Sequence, residues 1–154
     1  MLYTNPKDWK NSKSKRVLLF GMSGLGKTYI SNLLREDGDW FHYSIDYRIG
    51  TRYMGEFISD SYKLAAMKTP YLGELLKSDS IYIDSNITFD NLAPLSNYLG
   101  KPCNIVRGGI PIGEYGKRQE QHRKGEVSAL LDTGYYASRS KEIYQYNNCV
   151  CDGG

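Results

Sequence analysis

Gly21-Met22-Ser23-Gly24-Leu25-Gly26-Lys27-Thr28 decides how this chain is read. Glycine, four residues, glycine, lysine and a hydroxyl residue make the spacing of a phosphate-binding P-loop. Ahead of it, Arg16-Val17-Leu18-Leu19-Phe20 is a short apolar run of buried-strand type. Behind it, Tyr29-Ile30-Ser31-Asn32-Leu33-Leu34 continues as a helix. Strand, glycine loop and helix are the order that phosphate chemistry needs. Glycines carry no Cβ, so the backbone N–H groups of 21–28 can turn inward around anionic oxygens. The helix start adds unpaired N–H groups and the positive end of its dipole. Lys27 then reaches the β- and γ-phosphates, and the Thr28 hydroxyl sits on Mg²⁺. All eight residues, Gly21, Met22, Ser23, Gly24, Leu25, Gly26, Lys27 and Thr28, are nucleotide-binding candidates. Four fixed letters at this spacing arise by chance in about 1% of chains this long. The competing reading is an ordinary glycine-rich turn between a strand and a helix.

Moving outward, Glu36-Asp37-Gly38-Asp39 reads as a turn, and Trp40-Phe41-His42-Tyr43-Ser44-Ile45 as a second strand closing on Asp46. A strand–helix–strand unit of this kind is a right-handed parallel crossover. Ligands of such sheets gather at the carboxyl ends of the strands, so Asp46 is expected on the rim that carries the P-loop. In Asp46-Tyr47-Arg48-Ile49-Gly50-Thr51-Arg52-Tyr53, one carboxylate and two guanidinium groups follow that strand. Asp46 would orient or deprotonate an acceptor hydroxyl, and Arg48 or Arg52 would hold an anionic acceptor or the moving phosphoryl group. The alternative is a surface salt-bridge turn.

Two carboxylates compete for the metal. Ser80-Ile81-Tyr82-Ile83-Asp84 looks like a third strand ending in an acid of Walker B type. Asn148-Cys149-Val150-Cys151-Asp152-Gly153-Gly154 is another, ending in Asp152. Between them lie helical patterns over 53–67, 71–77, 90–99 and 114–131, with Phe57, Ile58, Leu64 and Ala65 as the apolar members of the first. Residues 100–116 hold five glycines and two prolines. Lys117, Arg118, Arg123 and Lys124 follow, so 100–124 is either a basic lid that closes on phosphates or leads into a solvated helix face. Asp132-Thr133-Gly134 matches the active-site turn of aspartic proteases in letters only. That turn needs β-strands around it, and here helical patterns flank it on both sides.

The chain has 154 residues, the length of one domain, and residues 1–15 read as a polar lead-in anchored by Trp9 ahead of a single domain over 16–154. Apolar residues make up 40% and charged ones 24%, values normal for a soluble globular protein. Twenty Lys and Arg against seventeen Asp and Glu leave +3, too little to imply nucleic acid. No apolar run approaches the roughly 20 residues of a membrane helix. Three cysteines and no secretory leader argue for a reducing cytoplasm. Cys149 and Cys151 fall on one face of a strand, but with only His42 and His122 as further soft ligands they read as incidental thiols.

Several stretches look like a family of bacterial P-loop proteins usually labelled only "ATPase": residues 16–28, residues 39–56 from Asp39-Trp40-Phe41-His42-Tyr43-Ser44-Ile45-Asp46 onward, Ser85-Asn86-Ile87-Thr88, and Val150-Cys151-Asp152. The resemblance covers nearly the whole chain and favours Asp152 as the strand-end acid, where the apolar pattern favours Asp84. Proteins of that family continue past the strand at 149–151 with further sheet and helices. The resemblance therefore implies an incomplete version of the domain, lacking outer strands, the adenine pocket or catalytic arginines. The expected fold is an α/β, three-layer P-loop NTPase-like domain with a mainly parallel sheet. The expected function is Mg-ATP binding by an ATPase or a small-molecule kinase, with Lys27, Asp46 and Arg48 in catalysis and Thr28 with Asp152 or Asp84 on Mg²⁺. The motif does not separate ATP from GTP. The competing class is a nucleotide-dependent switch, in which binding orders 100–124 for a protein partner.

Overall fold

The computed structural model describes residues 3–22, 24–103 and 105–153. The chain divides into two compact units, Met1–Asp46 with Ala129–Gly154, and Tyr47–Ser128.

The first unit holds an open parallel sheet of three strands, β1 (Arg16–Phe20), β2 (Trp40–Ser44) and β3 (Asn148–Gly153), in the order β1-β3-β2. The last strand in sequence is thus the central one, and all six of its residues are buried. Its register is fixed at the entry end by Asn148. The Lys15 N–H donates to Asn148 Oδ1 at 2.9 Å, and Asn148 Nδ2 donates to Asp39 Oδ2 at 2.9 Å. That registration puts Leu19, Asp152 and Ser44 in one row near the carboxyl ends of the three strands.

The lead-in contains a helix, α1 (Pro6–Asn11), opened by Asn5, whose side chain accepts from the Lys7 and Asp8 N–H groups. Trp9 pins it, stacking on Trp40 with ring centroids 6.4 Å apart while Tyr3 meets its edge. Helix α2 (Lys27–Glu36) packs against all three strands. The sheet's other row, Phe41 and Tyr43, lies against residues of the long helix α7 (Ile112–Tyr144). Tyr43 OH donates to Ala129 O at 2.9 Å, and Phe41 stacks on Tyr144 at 4.9 Å. Toward β1 this cover runs out, and Leu18 and Phe20 are 59% and 80% exposed.

The second strand stops one residue sooner than its apolar pattern suggests. Ile45 starts a short helix, α3 (Ile45–Arg48), and its side chain fills the space beside Gly153. A Cβ on Gly153 would lie 2.6 Å from Ile45 Cδ1. Only glycine lets the ends of β2 and β3 close up in this way.

The second unit is helical. A π-helical turn (Ile49–Tyr53) closes with Met54 N donating to Ile49 O at 2.8 Å and leads into α4 (Gly55–Ala66). Then come α5 (Pro70–Lys77), α6 (Ala93–Leu99), a 3₁₀ turn (Ile105–Arg107) and residues 112–128 of α7. Ile49, Met54 and Ile58 are almost wholly buried, with Leu95 and Tyr98 beside them in the buried set. Of the apolar residues expected to face the core of α4, only Ile58 does so. Phe57 and Leu64 are exposed, because the buried stripe runs through Ile58, Ser59 and Ala66.

The third strand expected at 80–84 does not form. Residues 81–87 have no regular structure, although burial alternates along them, Ile81, Ile83, Ser85 and Ile87 being half-buried and Tyr82, Asp84 and Asn86 exposed. The alternation is that of an extended chain, but among the described residues no strand pairs with it, and a ladder needs a second backbone. The helices expected at 114–131 and 136–144 are one. α7 passes through Asp132-Thr133-Gly134 without a break, and Thr133 Oγ1 donates back to Ala129 O at 3.2 Å.

Candidate functional site

All three strands are parallel, so their carboxyl ends share one rim. From that rim the chain leaves β1 into residues 21–28. Gly24 and Gly26 have φ of +84° and +78°, left-handed values that side chains disfavour, which is why glycine stands at both. Gly26 caps α2 without any side-chain hydrogen bond, and Ile30 N is the first amide to bond back, to Gly26 O at 3.0 Å. Among the described residues, the amides of Lys27, Thr28 and Tyr29 precede the first helical bond, where a helix start can take an acceptor from outside. Lys27 folds back over the loop, its Nζ donating to Gly21 O and Met22 O at 2.7 Å each. The ammonium group is thus held at the loop's mouth by neutral carbonyls that a phosphate oxygen would outcompete. Thr28, half-buried, is the second residue of α2. Ser23 lies outside the described residues.

Asp152 ends the central strand on the same rim. It is 1% exposed, and its Oδ1 is 3.0 Å from His42 Nε2, whose side chain is equally enclosed. A carboxylate only accepts, so the ring nitrogen facing it carries the proton. Asp152 Oδ2 is buried and has no hydrogen-bond partner among the described residues. A buried carboxylate oxygen without a donor is costly unless a cation completes it. Mg²⁺ suits that oxygen in chemistry. It prefers hard oxygens, and it commonly takes one or two protein ligands while water and phosphate supply the rest. No cluster of three or more His, Cys, Asp or Glu able to hold a metal occurs among the described residues.

The other candidates separate. Asp46 lies in the first turn of α3, two residues past β2, within the first unit. Arg48 ends the same helix and belongs to the second unit, as does Asp84. Asp84 is exposed, and its partners are local. The Ser59 hydroxyl and the Ser85 N–H donate to Oδ1, and Lys63 is near enough to attract it. Chiefly through the Ser59 bond, they hold its carboxyl below the usual aspartate range. Asp84 also lines a pocket of the second unit, about 470 Å³, with Thr51, Glu56, Ser59, Lys63 and Ser85.

The basic run on α7 is partly spoken for. Arg118 Nε donates to Glu114 at 2.9 Å and its guanidinium lies over the Tyr98 ring, while Lys124 meets Glu120 at 2.8 Å. Cys149 and Cys151 do share a strand face, with Sγ atoms 3.8 Å apart and both buried. The bond with Cys149, followed by burial, pushes the Cys151 thiol up.

Sequence reasoning weighed His42 only as a scarce metal ligand and missed its tie to Asp152. The signal was present. In parallel strands of one register, positions 42, 150 and 152 point to the same face. What local pattern lacked was the knowledge that β3 lies beside β2.

No helix among the described residues is long and apolar enough to cross a membrane. Comparison with protein-family models, with curated proteins and with solved structures found no match.

Proposed function

We propose that the chain binds Mg-ATP through a P-loop built from residues 21–28 and acts as an ATPase or a small-molecule kinase, in a three-layer P-loop NTPase-like fold. One observation carries the reading. A helix start whose N-cap, Gly26, has no side chain, with its lysine folded over the preceding loop, follows β1 at the sheet rim where a buried carboxylate has a second oxygen that lacks a partner among the described residues. A triphosphate would be taken up by the loop amides, with Lys27 turning from the loop carbonyls to the phosphate oxygens. Thr28 and Asp152 would hold Mg²⁺, which in such sites draws charge from the β- and γ-phosphates. Asp46, two residues past the end of β2, would orient an acceptor hydroxyl or water.

The test is nucleotide affinity of wild type against Lys27→Ala, by calorimetry with Mg-ATP. Loss of a charge-assisted hydrogen bond, worth about 1.5–3 kcal/mol, lowers affinity roughly 10- to 100-fold. Equal affinity overturns the reading. Turnover of ATP that rises with one compound of a metabolite panel would then identify a kinase rather than an ATPase.

A further inference from the structure

Asp152 is the next-to-last residue of the central strand. A carboxylate on the last turn of a strand can swing about χ1 and χ2, yet a metal site needs its oxygen in one place. Burial narrows that freedom, Asp152 being 1% exposed with Leu19 beside it on β1. Gly153 follows it with no side chain, and Ser44 stands beside it in the register. His42 is the group that restrains it. The imidazole comes from the neighbouring strand, two residues nearer the entry end, and its Nε2 engages Asp152 Oδ1 at 3.0 Å with both side chains at least 98% buried. One oxygen is thereby taken out of play, and the other, Oδ2, remains buried and unmatched among the described residues.

We infer that His42 is a positioning residue, which fixes the rotamer of Asp152 so that Oδ2 alone is presented to the divalent cation of the nucleotide complex. The inference rests on the reading of 21–28 as a nucleotide site. A histidine that donates to a metal-binding carboxylate also shares that carboxylate's charge, so it orients the ligand and tempers its basicity. Other jobs for His42 fit less well. It is too enclosed to meet a substrate, and the described residues hold no second acid with which it would make a metal cluster.

The experiment uses His42→Leu, which removes the donor, and His42→Gln, whose amide nitrogen stands near the place of Nε2. Two quantities are read for each. One is the affinity for ADP in chelator, and the other is the affinity of the protein–ADP complex for Mn²⁺, by paramagnetic resonance. The expected result is that metal-free ADP binding stays within about twofold of wild type in both. Mn²⁺ affinity falls roughly tenfold in His42→Leu, as for other groups that orient metal ligands, and His42→Gln recovers most of it. A merely structural histidine would lower thermal stability and leave the Mn²⁺ affinity of the folded fraction alone, and that outcome overturns the inference. So does equal loss in the two variants, because the donated bond would then not be what matters. Should His42→Leu fail to fold, His42→Asn takes its place, since its shorter amide cannot reach, and the comparison with His42→Gln decides in the same way. Wild type that binds ADP but shows no response in these variants rejects the role of His42 alone. Wild type that binds no nucleotide, with or without metal, rejects the site itself.

Discussion

The two units bury different things. In the first, the most enclosed strand reads Asn-Cys-Val-Cys-Asp-Gly, and only Val150 in it is a large aliphatic residue. In the second, the large enclosed side chains are those of Ile49, Met54, Ile58, Leu95 and Tyr98. A polar group taken out of water must be matched, and most of those on β3 are. Asn148 spans Lys15 and Asp39, and Asp152 Oδ1 has His42. Asp152 Oδ2 is the exception among the described residues of that strand. The contrast separates packing from function. An apolar core holds a unit together and says nothing of its use, whereas a buried polar atom left without a partner in an otherwise matched strand marks where something from outside belongs.

If that contrast is right, the largest losses of stability come from the apolar core of the second unit. Ile58→Ala removes a wholly buried side chain and should cost about 2–5 kcal/mol in denaturant unfolding. A cost within error of zero would show that α4 is not what the unit packs around. Next comes Gly153→Ala. The added Cβ would lie 2.6 Å from Ile45 Cδ1 and 2.7 Å from Ile45 Cβ, and the latter cannot swing aside. Overpacking of this sort should cost about 1–3 kcal/mol, because the ends of β2 and β3 must part. Tolerance of the alanine would show that the rim is looser than its contacts imply. Much smaller is Phe20→Ser, at a side chain 80% exposed, which should change stability by no more than about 0.5 kcal/mol. A greater loss would mean that β1 is covered in solution.

What could be read from the sequence follows the same division. β1, the glycine loop and α2 were legible because each is specified locally, by an apolar run, by glycines at positive φ and by a helical pattern. β3 was legible as a run that ends in Asp152. Its place between β1 and β2 was not, because strand order is a matter of pairing between distant segments, and with it the His42–Asp152 contact went unseen. The expected strand at 80–84 had the right alternation and lacked a neighbour to pair with. The single long α7 was hidden at Asp132-Thr133-Gly134, where Gly134 looks like a breaker, whereas Gly125 already lay inside the expected helix over 114–131. Gly125 is there for close contact, 3.1 Å from a would-be Cβ to Tyr53 Cβ, whereas nothing lies within 4 Å of one at Gly134. That residue simply lowers the local helix preference without ending the helix.

The smallest effect sharpens the contrast from the other side. Asp84, in the second unit, has the donors that Asp152 Oδ2 lacks, namely the Ser59 hydroxyl and the Ser85 N–H. They favour its charged form and lower its pKa. A carboxyl whose folded pKa is depressed contributes stability that is present above its unfolded pKa and is lost as pH falls through the folded value. Ser59→Ala removes the largest of these causes. The Asp84 midpoint, followed by carbon NMR of the carboxyl group, should therefore rise toward that of an ordinary aspartate. The stability gap between wild type and variant should be full at neutral pH and should close on acidification through the ordinary aspartate range. An unmoved midpoint would mean that the serine does not hold the carboxylate. Asp84, exposed and still accepting from the Ser85 N–H, would then owe its charged form to water and that amide, and its contrast with the buried Asp152 Oδ2 would rest on burial alone.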